Sequence, residues 1–368
     1  MKFSAQRESF LEPLAQVIGA VERRQKSPVL GNVLVEAGED GVTMTASDSE
    51  IELRAASAIA VERPGSTTIP ARKLFEICRH LPDQARIEVE QDAEKVRLKA
   101  GRSRFTLATL AAEQFPVSSS LDDARRIVLP AASLLRCMKA TAFSMAMQDV
   151  RFYLNGMLLE IDGQGLCTVA TDGHRLAWAR VALDGVEGEP VRAIVPRKSV
   201  GELQRLLGGA EDNADVTLEL TAQQLQASIG GVRLTTRLID GRFPDYNRVI
   251  PVDGDKELLI DGRTLRQALA RASVLSNEKY RGIRLALGEG VLTISSNNPD
   301  QEEAIDELEV DYAGEPTEIG FNVTYLMEVL GAIETESARI VLKDGSSSAL
   351  VTPETGEESR YVVMPMRL

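Results

Sequence analysis

The stretch ARKLF at Ala71–Phe75 opens a predicted basic helix, and the chain repeats this helix start twice. The later copies are RKSVG at Arg197–Gly201 and NVTYL at Asn322–Leu326, so the three stretches begin 126 and 125 residues apart. Solenoid and propeller repeats have periods of roughly 20 to 50 residues. A period of this length therefore indicates three copies of a complete domain.

A second marker has the same spacing. An Asp or Asn that follows a Ser/Thr-rich strand recurs at Asp48, Asp172 and Asn298, 124 and 126 residues apart. Because two independent markers agree, we predict three domains, at residues 1–125, 126–252 and 253–368.

Each predicted domain contains two amphipathic helices and several strands, since hydrophobic periods of 3.6 and 2 residues alternate along it. We expect an α+β fold in which six helices per chain pack on largely antiparallel sheets. The first helix of each domain is predicted at 8–17, 132–142 and 264–274. The second helix of each domain begins with the stretch at 71, 197 or 322. The predicted strands include 29–35, 52–61, 87–98, 152–161, 175–181, 216–229, 283–287 and 305–312.

Composition is typical of a globular protein. Hydrophobic residues make up 43% of the 368 residues, and no apolar run approaches the roughly 18 residues of a membrane span. The first residues lack the apolar core of a secretory signal, so we expect a cytoplasmic protein. Three cysteines, Cys78, Cys137 and Cys167, lie far apart without a CxxC pair, which favours reduced core thiols over disulfides or a zinc site.

Positive charge is concentrated on the predicted helices. The chain carries a net charge of −13, but the six helical windows sum to +7, which leaves −20 on the remainder. An ordinary solvated helix face explains any one window. Four windows are positive, however (71–80, 131–148, 196–207 and 262–273). Helices that share a surface would offer phosphates a lining that does not depend on base sequence, while the acidic remainder repels DNA.

An enzymatic reading has little support. His174 lies near Asp172 and Thr171, which could suggest acid–base chemistry. However, the chain contains no nucleophile elbow, phosphate loop or dinucleotide fingerprint, and no cluster with metal-ligand spacing. We therefore predict no catalytic residue, no metal and no cofactor. Turnover that His174→Ala abolishes would support an enzyme, whereas a binding protein would lose only affinity for its partner.

Four longer motifs carry a family resemblance: TDGHRL at 171–176, DGRFPDY at 240–246, SNEK at 276–279 and YVVMPMRL at 361–368. Together they resemble the bacterial DNA polymerase sliding clamp, the beta subunit of the replicase, and the similarity runs over the whole chain. This resemblance implies three tandem clamp domains per subunit. It also implies a head-to-tail homodimer that closes a six-domain ring, with helices lining the inside and antiparallel sheets outside.

The resemblance further implies a hydrophobic pocket that receives short peptide motifs of partner proteins. Methionine suits such a surface because its flexible side chain accommodates different peptides. One subsite would contain Leu154, Thr171, Gly173, His174, Arg175, Leu176, Pro244, Arg248 and Val249. The other would contain Asn322, Tyr325, Ser346, Ser348, Val362, Met364, Pro365, Met366 and Arg367. Truncation from Val362 is expected to abolish partner binding and leave the dimer formed.

Two further sets of residues follow from the resemblance. The DNA-binding set is Arg24, Arg72, Gln148, Tyr153, Arg197 and Lys198. Contacts to phosphates are expected, because a sliding ring would be trapped by base recognition. The dimer-interface set is Lys73, Arg102, Arg104, Phe105 and Leu107 in the first domain, with Val274, Leu275, Glu302 and Glu303 in the third. The stretch 104–107 is equally compatible with an ordinary edge strand.

The expected function is that of a DNA sliding clamp at replication forks. Implied partners are encircled duplex DNA, a second copy of the chain, the polymerase alpha subunit, the clamp-loader delta subunit, and translesion and repair proteins. A clamp paralogue that acts as a scaffold or confers inhibitor resistance is the alternative, and depletion of the protein would distinguish the two.

Overall fold

A computed structural model describes residues 1–22, 27–118, 121–183, 189–356 and 358–367. Packing divides the chain into two compact units. Unit 1 comprises Met1–Leu134 and Lys198–Leu238, and unit 2 comprises Leu135–Arg197 and Ile239–Leu368. Because this division follows packing and not sequence similarity, the three predicted domain ranges stay a prediction.

The described part of the chain contains six α-helices, as the sequence predicts. They are α1 (Arg7–Val17), α2 (Ala71–His80), α3 (Ala131–Thr141), α4 (Arg197–Gly208), α5 (Gly262–Ser273) and α6 (Val323–Ala332). The predicted window 131–148 was too long for α3. Its last residue, Thr141, has a φ of −124° and is followed by a 3₁₀ turn at Ala142–Ser144. The Thr141 hydroxyl donates to the Cys137 carbonyl at 2.9 Å, a bond that commonly bends a helix near its end.

The described residues of unit 1 form two antiparallel sheets. A five-stranded sheet has the order β5-β1-β7-β8-β9, and an eight-stranded sheet has the order β10-β15-β16-β17-β4-β3-β2-β6. The strands from the first third of the chain are β1 (Lys2–Gln6), β2 (Asn32–Gly38), β3 (Gly41–Ser47), β4 (Ile51–Ser57), β5 (Val61–Arg63), β6 (Gly65–Pro70), β7 (Arg86–Asp92), β8 (Lys95–Ala100) and β9 (Ser103–Ala108). The others are β10 (Arg125–Pro130), β15 (Asp215–Leu220), β16 (Gln224–Ile229) and β17 (Val232–Arg237).

Within the part of unit 2 that the structure describes, there are likewise two antiparallel sheets. Its eight-stranded sheet has the order β14-β11-β12-β13-β25-β24-β23-β18, and its four-stranded sheet has the order β21-β20-β19-β22. The earlier strands are β11 (Gly156–Asp162), β12 (Gly165–Thr171), β13 (Arg175–Val181) and β14 (Val191–Pro196). The later ones are β18 (Lys256–Asp261), β19 (Gly282–Gly288), β20 (Val291–Asn297), β21 (Glu303–Glu309), β22 (Thr317–Asn322), β23 (Ser337–Leu342), β24 (Ala349–Pro353) and β25 (Ser359–Val363).

Some predicted strand bounds were wrong for local reasons. The run 29–35 begins with a 3₁₀ turn at Pro28–Gly31, and β2 starts only at Asn32. The run 87–98 is a hairpin of β7 and β8, because Ala93 has a left-handed φ of 52° and reverses the chain. Apolar alternation continues across such a tight turn, so the periodicity alone does not reveal it.

Each unit buries the apolar face of its helices. In α5, the buried residues Leu265, Ala268, Leu269 and Ala272 have the i, i+3, i+4, i+7 spacing that places them on one face. This face belongs to a hydrophobic core that also includes residues of α6, the four-stranded sheet and β25. Complete burial of a large apolar side chain contributes about 1.5–3 kcal/mol. Packing of this face therefore holds α5 in place.

The three cysteines are free and buried, which confirms the prediction of core thiols. Burial raises the pKa of each thiol, Cys78, Cys137 and Cys167, to about 12. They remain protonated at neutral pH and do not act as nucleophiles.

Candidate peptide pocket and DNA-facing residues

The turn Thr171–Arg175 between β12 and β13 is fixed by its own side chains. The Asp172 carboxylate accepts hydrogen bonds from the amides of His174 and Arg175, at 2.9 and 3.0 Å. The Thr171 hydroxyl donates to the Arg175 carbonyl at 2.6 Å and accepts from the Gly173 amide at 3.1 Å. Gly173 has a φ of +88°, a conformation that favours glycine. The turn consequently presents His174 at the surface in a defined orientation.

The buried side chain of Arg175 holds this turn against the rest of unit 2. Its side chain is only 8% exposed, and its guanidinium donates to Asp172 at 3.2 Å, to the Phe143 carbonyl at 2.7 Å and to Glu328. The same guanidinium lies 4.5 Å from the centre of the Tyr325 ring. A buried charge is stable only with such partners. Arg175 therefore positions the surface and has little exposed area to offer a peptide.

His174 and Tyr325 connect two elements across the pocket. Their rings stack with centroids 6.4 Å apart and an interplanar angle of 18°. Tyr325 lies on α6, whereas His174 follows β12. Burial is the main cause of the raised pKa of Tyr325. The stacked pair presents an aromatic surface that is half-buried on the tyrosine side.

The C-terminal segment joins both predicted subsites. Strand β25 pairs with β13 on one side and with β24 on the other. Beyond it, the Met364 amide donates to the His174 carbonyl at 2.9 Å, and the Met366 amide donates to the Gly320 carbonyl at 2.7 Å. Met364 remains 45% exposed. The backbone of this segment thus places a flexible methionine directly beside the His174 turn.

The eighteen predicted pocket residues differ in accessibility, and buried ones form a floor. Leu176 and Val362 belong to a buried cluster with Leu158 and Tyr246, against which Phe243 packs. Buried residues of the set are Leu154, Thr171, Arg175, Leu176 and Val362. Half-buried ones are Asn322, Tyr325, Ser348, Pro365 and Met366. Exposed ones are Gly173, His174, Pro244, Arg248, Val249, Ser346, Met364 and Arg367.

A cleft of about 550 Å³ adjoins the C-terminal segment. It is lined by four residues of the second predicted subsite, Ser346, Pro365, Met366 and Arg367, together with Arg284, Glu318, Ile319, Gly320 and Gly345. Its lining combines two glycines with apolar side chains, among them Met366, and with the charged side chains of Arg284, Glu318 and Arg367. Such a cleft is suited to an extended peptide, which needs main-chain partners and apolar contact at once.

Three predicted DNA-binding residues of unit 2 meet at one loop, residues 145–155. Gln148 is exposed, and Tyr153 is half-buried. Arg197 follows β14, and its guanidinium donates to the Met145 carbonyl at 2.8 Å. Its amide donates to the Asn155 carbonyl at 3.0 Å. Arg197 thus holds both ends of the loop.

Two of the predicted DNA-binding residues of unit 1, Arg72 and Lys198, have protein partners. Arg72 is exposed but donates to the Val21 carbonyl at 2.6 Å. The Lys198 ammonium forms ion pairs with Glu22, at 2.9 Å, and with Asp48, whose side chain is 5% exposed. Burial lowers the pKa of Lys198, but hydrogen bonds to Asp48 and Glu22 outweigh it and leave the pKa raised. Lys198 is thus largely neutralised by its neighbours. Arg24 lies outside the described residues.

The predicted interface residues lie on sheet edges and the segments beside them. In unit 1, β9 is an edge strand, with Arg104 exposed, Phe105 half-buried and Leu107 9% exposed. Lys73 and Arg102 are exposed nearby in sequence. In unit 2, β21 is likewise an edge strand, and Glu303 is its first residue. Val274 is 77% exposed, Glu302 and Glu303 are exposed, and Leu275 is half-buried.

Two residues stand out that sequence reasoning missed. Arg151 contacts the pocket turn, and its only signal was its place between Gln148 and Tyr153. Ile305 is 61% exposed on β21, although an isoleucine in an alternating strand usually faces a core. It lies on the same exposed face of β21 as Glu303, Glu307 and Glu309, whose side chains alternate with half-buried ones.

No helix in the described part of the chain is long and apolar enough to cross a membrane. Among the described residues, no three His, Cys, Asp or Glu side chains are grouped so that they could hold a metal ion.

Comparison with known proteins follows the three-part organisation. Models of the DNA polymerase III beta subunit match the chain with the N-terminal domain at residues 1–119, the central domain at 128–245 and the C-terminal domain at 247–367. The structure and these matches define a protein of the three-domain clamp class with an α+β fold, as predicted.

The chain belongs to the DNA polymerase III beta subunit family, which confirms the resemblance. It is 48% identical to the Beta sliding clamp of Pseudomonas aeruginosa and 45% identical to that of Escherichia coli K12, with both chains covered completely in each case. The crystal structure of the Pseudomonas aeruginosa beta subunit matches with a TM-score of 0.96 at 46% identity. A clamp from the same organism bound to griselimycin matches with a TM-score of 0.95 at 47% identity, again over both complete chains.

Proposed function

We propose that this chain is a DNA sliding clamp: two copies join head to tail into a closed ring that encircles duplex DNA and confers processivity on the replicative polymerase. The three domains of each copy would span residues 1–125, 126–252 and 253–368. The ring holds DNA by topology and does not read its sequence. It works in the cytoplasm at the replication forks of the nucleoid, and it catalyses no reaction.

The observation that carries this proposal is the hydrogen bond from the Met364 amide to the His174 carbonyl, at 2.9 Å. It brings the two predicted subsites together, because Met364 belongs to one and His174 to the other. The resulting surface combines an exposed methionine with the His174–Tyr325 stack above an apolar floor. Such a surface accepts several related peptides, as a shared docking site requires.

We assign this pocket to linear motifs of the polymerase alpha subunit, the clamp-loader delta subunit, and translesion and repair proteins. Griselimycin is bound by a relative that is 47% identical over its whole length. We expect this chain to bind it at the same pocket. Two partners that share one pocket exclude one another, so their order of binding is set by affinity and local concentration.

DNA contacts are assigned to Gln148, Tyr153 and Arg197 around the loop 145–155, and to Arg24 and Arg72. Lys198 is retained in this set, although its ammonium already has two carboxylate partners. Contacts to phosphates alone support sliding, since they carry no base sequence. Each lost contact from an arginine or lysine should reduce the salt dependence of DNA binding by about one unit of slope, whereas the uncharged Gln148 and Tyr153 should leave the slope unchanged.

The dimer joins the β9 edge of one copy to the β21 edge of the other. Each of these strands is the last of its sheet, and an edge strand is a template for strand addition. Arg102 and Arg104 would meet Glu302 and Glu303 of the other copy. Because such a joint uses two different surfaces, closure into a ring is what prevents a filament.

The test is loading onto nicked circular DNA with a bacterial clamp loader and ATP, followed by linearisation. We expect the protein to remain on the circle and to leave once the DNA is cut, because only a ring depends on the DNA having no ends. Retention on linear DNA would contradict encirclement. The pocket is tested separately with griselimycin: His174→Ala should weaken binding, whereas His80→Ala, on the exposed end of α2, should not.

A further inference from the structure

One loop carries residues of two predicted sites. Within residues 145–155, Gln148 and Tyr153 belong to the DNA-binding set and Leu154 belongs to the pocket. The loop is closed by Asn155, whose side chain accepts from the Asp149 amide and donates to the Asp149 carbonyl, both at 2.9 Å. These two hydrogen bonds tie residue 149 to residue 155, and Gln148 directly precedes the segment that they close.

Arg151 links this loop to the turn of the pocket. Its guanidinium binds both oxygens of the Asp149 carboxylate, at 3.0 and 2.8 Å. The same group donates to the Asp172 carbonyl at 3.1 Å. It also fills the space beside Gly173, where an added Cβ would lie 2.8 Å from a guanidinium nitrogen. One side chain thus contacts the loop and the turn that presents His174.

The link is well defined because a bidentate pair fixes the orientation of a guanidinium. Hydrogen bonds from Arg151 lower the pKa of Asp149 to about 2, so this carboxylate is ionised throughout the neutral range. On the other side, the Asp172 side chain holds the amides of His174 and Arg175. Rotation of the Arg151 guanidinium would shift the Asp172 carbonyl, and the position of His174 would change with it.

We propose that Arg151 is a positioning residue that couples DNA contact at the 145–155 loop to peptide binding at the His174 turn. This proposal rests on the proposed function and extends it, since neither site has so far been connected to the other. By linkage, the effect is reciprocal: if duplex DNA changes the affinity for a peptide, the peptide changes the affinity for DNA by the same factor.

The experiment measures the dissociation constant of fluorescein-labelled griselimycin by anisotropy, for the free protein and for protein loaded on nicked circular DNA. For the wild type we expect the two constants to differ by about fivefold or more, the lower end of measured couplings. Arg151→Met keeps the side-chain stem but removes every donor. Its free-protein constant should rise about tenfold, and the difference between free and loaded protein should disappear.

Two further variants separate positioning from general damage. Arg151→Lys keeps a positive charge on a single donor nitrogen but loses the planar guanidinium that binds both oxygens of Asp149. We therefore expect part of the coupling to return. Arg339→Met removes a surface ion pair with Glu257 on β18, away from the turn, and should behave as the wild type. Melting temperatures establish that all variants are folded.

Wild-type coupling retained in Arg151→Met would overturn the proposal, and so would equal constants for free and loaded wild type. A failure of the proposed function can be told apart from a failure of the coupling, because the wild type would then not bind griselimycin or would not stay on the circular DNA. A wild type that does not bind griselimycin refutes the pocket, and one that is never retained on the circle refutes the clamp; either result removes the basis of the coupling as well.

Discussion

At the residue scale, the pocket depends on groups whose partners are distant in sequence. Arg175 is an ordinary cation in the motif TDGHRL, yet its guanidinium lies between Asp172 and Glu328, 153 residues away. The motif indicated this turn through the resemblance alone, and it did not show that Arg175 is a buried support while His174 is exposed. Those two roles follow from burial, which no spacing in the sequence determines.

Gly173 offers a test at this scale. Gly173→Ala adds a Cβ at a φ of +88° and only 2.8 Å from Arg151. Left-handed backbone alone costs a non-glycine residue about 1–2 kcal/mol, and displacement of Arg151 adds to it. We therefore expect the free energy of unfolding to fall by about 2 kcal/mol or more, as measured by urea denaturation.

The matched control is Gly230→Ala. Gly230 also has a positive φ, of 52°, but nothing lies within 4 Å of an added Cβ. Its cost should be about 1 kcal/mol from backbone conformation alone. Equal losses for the two variants would show that Arg151 does not restrict this turn.

At the element scale, the sequence predicted the helices well and the strand ends less well. Helix α5 shows its apolar face directly as a period of 3.6 residues, and that period exists whatever packs against it. The start of β2 and the end of α3 depend instead on 3₁₀ turns at Pro28–Gly31 and Ala142–Ser144. These turns are decided by a few local hydrogen bonds, to which periodicity is insensitive.

In the first turn of helix α4, Lys198 forms an ion pair with Asp48 that can be tested by substitution. Lys198→Met leaves the nearly buried Asp48 carboxylate without its cation. The backbone amides of Glu50 and Ile51 still donate to Asp48, at 2.8 Å each, so part of its charge remains compensated. We expect a loss of about 1–2 kcal/mol in unfolding free energy.

The same variant distinguishes the two roles of Lys198. If its ammonium mainly serves Asp48 and Glu22, the salt slope of DNA binding should change by clearly less than the unit expected for a direct phosphate contact. Lys139→Met on the exposed side of α3 is the stability control and should stay within about 0.5 kcal/mol. If Lys198→Met lowered the salt slope of DNA binding by a full unit and left the unfolding free energy unchanged, Lys198 would be a direct phosphate contact.

Strand β4 carries a buried carboxyl group that makes stability depend on pH. Burial raises the pKa of Glu52 above its ordinary value of 4.5, and the Ser118 amide, which donates to it at 2.7 Å, only partly offsets this. The folded state therefore binds a proton more tightly than the unfolded chain. Stability falls as pH rises from about 4.5 through the folded-state pKa, and the cost persists above it.

Glu52→Gln should remove this cost, because the amide oxygen can still accept from Ser118. We expect the unfolding free energy at pH 7 to rise by up to about 1 kcal/mol, with the gain vanishing below about pH 4.5. Denaturant titrations at several pH values measure it. Glu36→Gln, 44% exposed on β2, is the control and should show no such gain; a pH-independent difference for Glu52→Gln would contradict the assignment.

At the scale of the whole molecule, the chain separates charge between its elements. Its net charge is −13, although four of the six predicted helical windows are positive. The edge strands β9 and β21, which are proposed to meet in the dimer, carry charges of opposite sign at Arg104 and at Glu303. This arrangement favours association of copies through unlike edges.

Charge reversal at the β9 edge tests the proposed dimer. Arg104→Glu should raise the dimer dissociation constant about tenfold, since a favourable pair becomes a repulsive one. Adding Glu303→Lys should recover part of the loss, as measured by sedimentation equilibrium. Lys139→Glu makes the same charge change on α3 and should leave the constant unchanged. A constant unaffected by Arg104→Glu would remove Arg104 from the interface.

The expectation that truncation from Val362 leaves the dimer intact was wrong, because this truncation removes part of a buried strand. Val362 and Val363 are completely buried, and β25 lies between β13 and β24. Removal of residues from Val362 onward would open the core of unit 2. A truncation that starts at Met364 removes the exposed methionine and spares the sheet, so it is the appropriate test of partner binding.

The sequence by itself determined the threefold repeat, the α+β class, the six helices and the family, because spacing, periodicity and motif identity are properties of the chain as written. The peptide pocket stays a prediction, which the motifs TDGHRL and YVVMPMRL carry through the resemblance. Only the tertiary structure decided that Arg175 supports while His174 is exposed, that Lys198 has carboxylate partners, and that Arg151 joins the loop to the turn. These roles depend on burial and on contacts between distant residues, and both arise only when the sheets assemble.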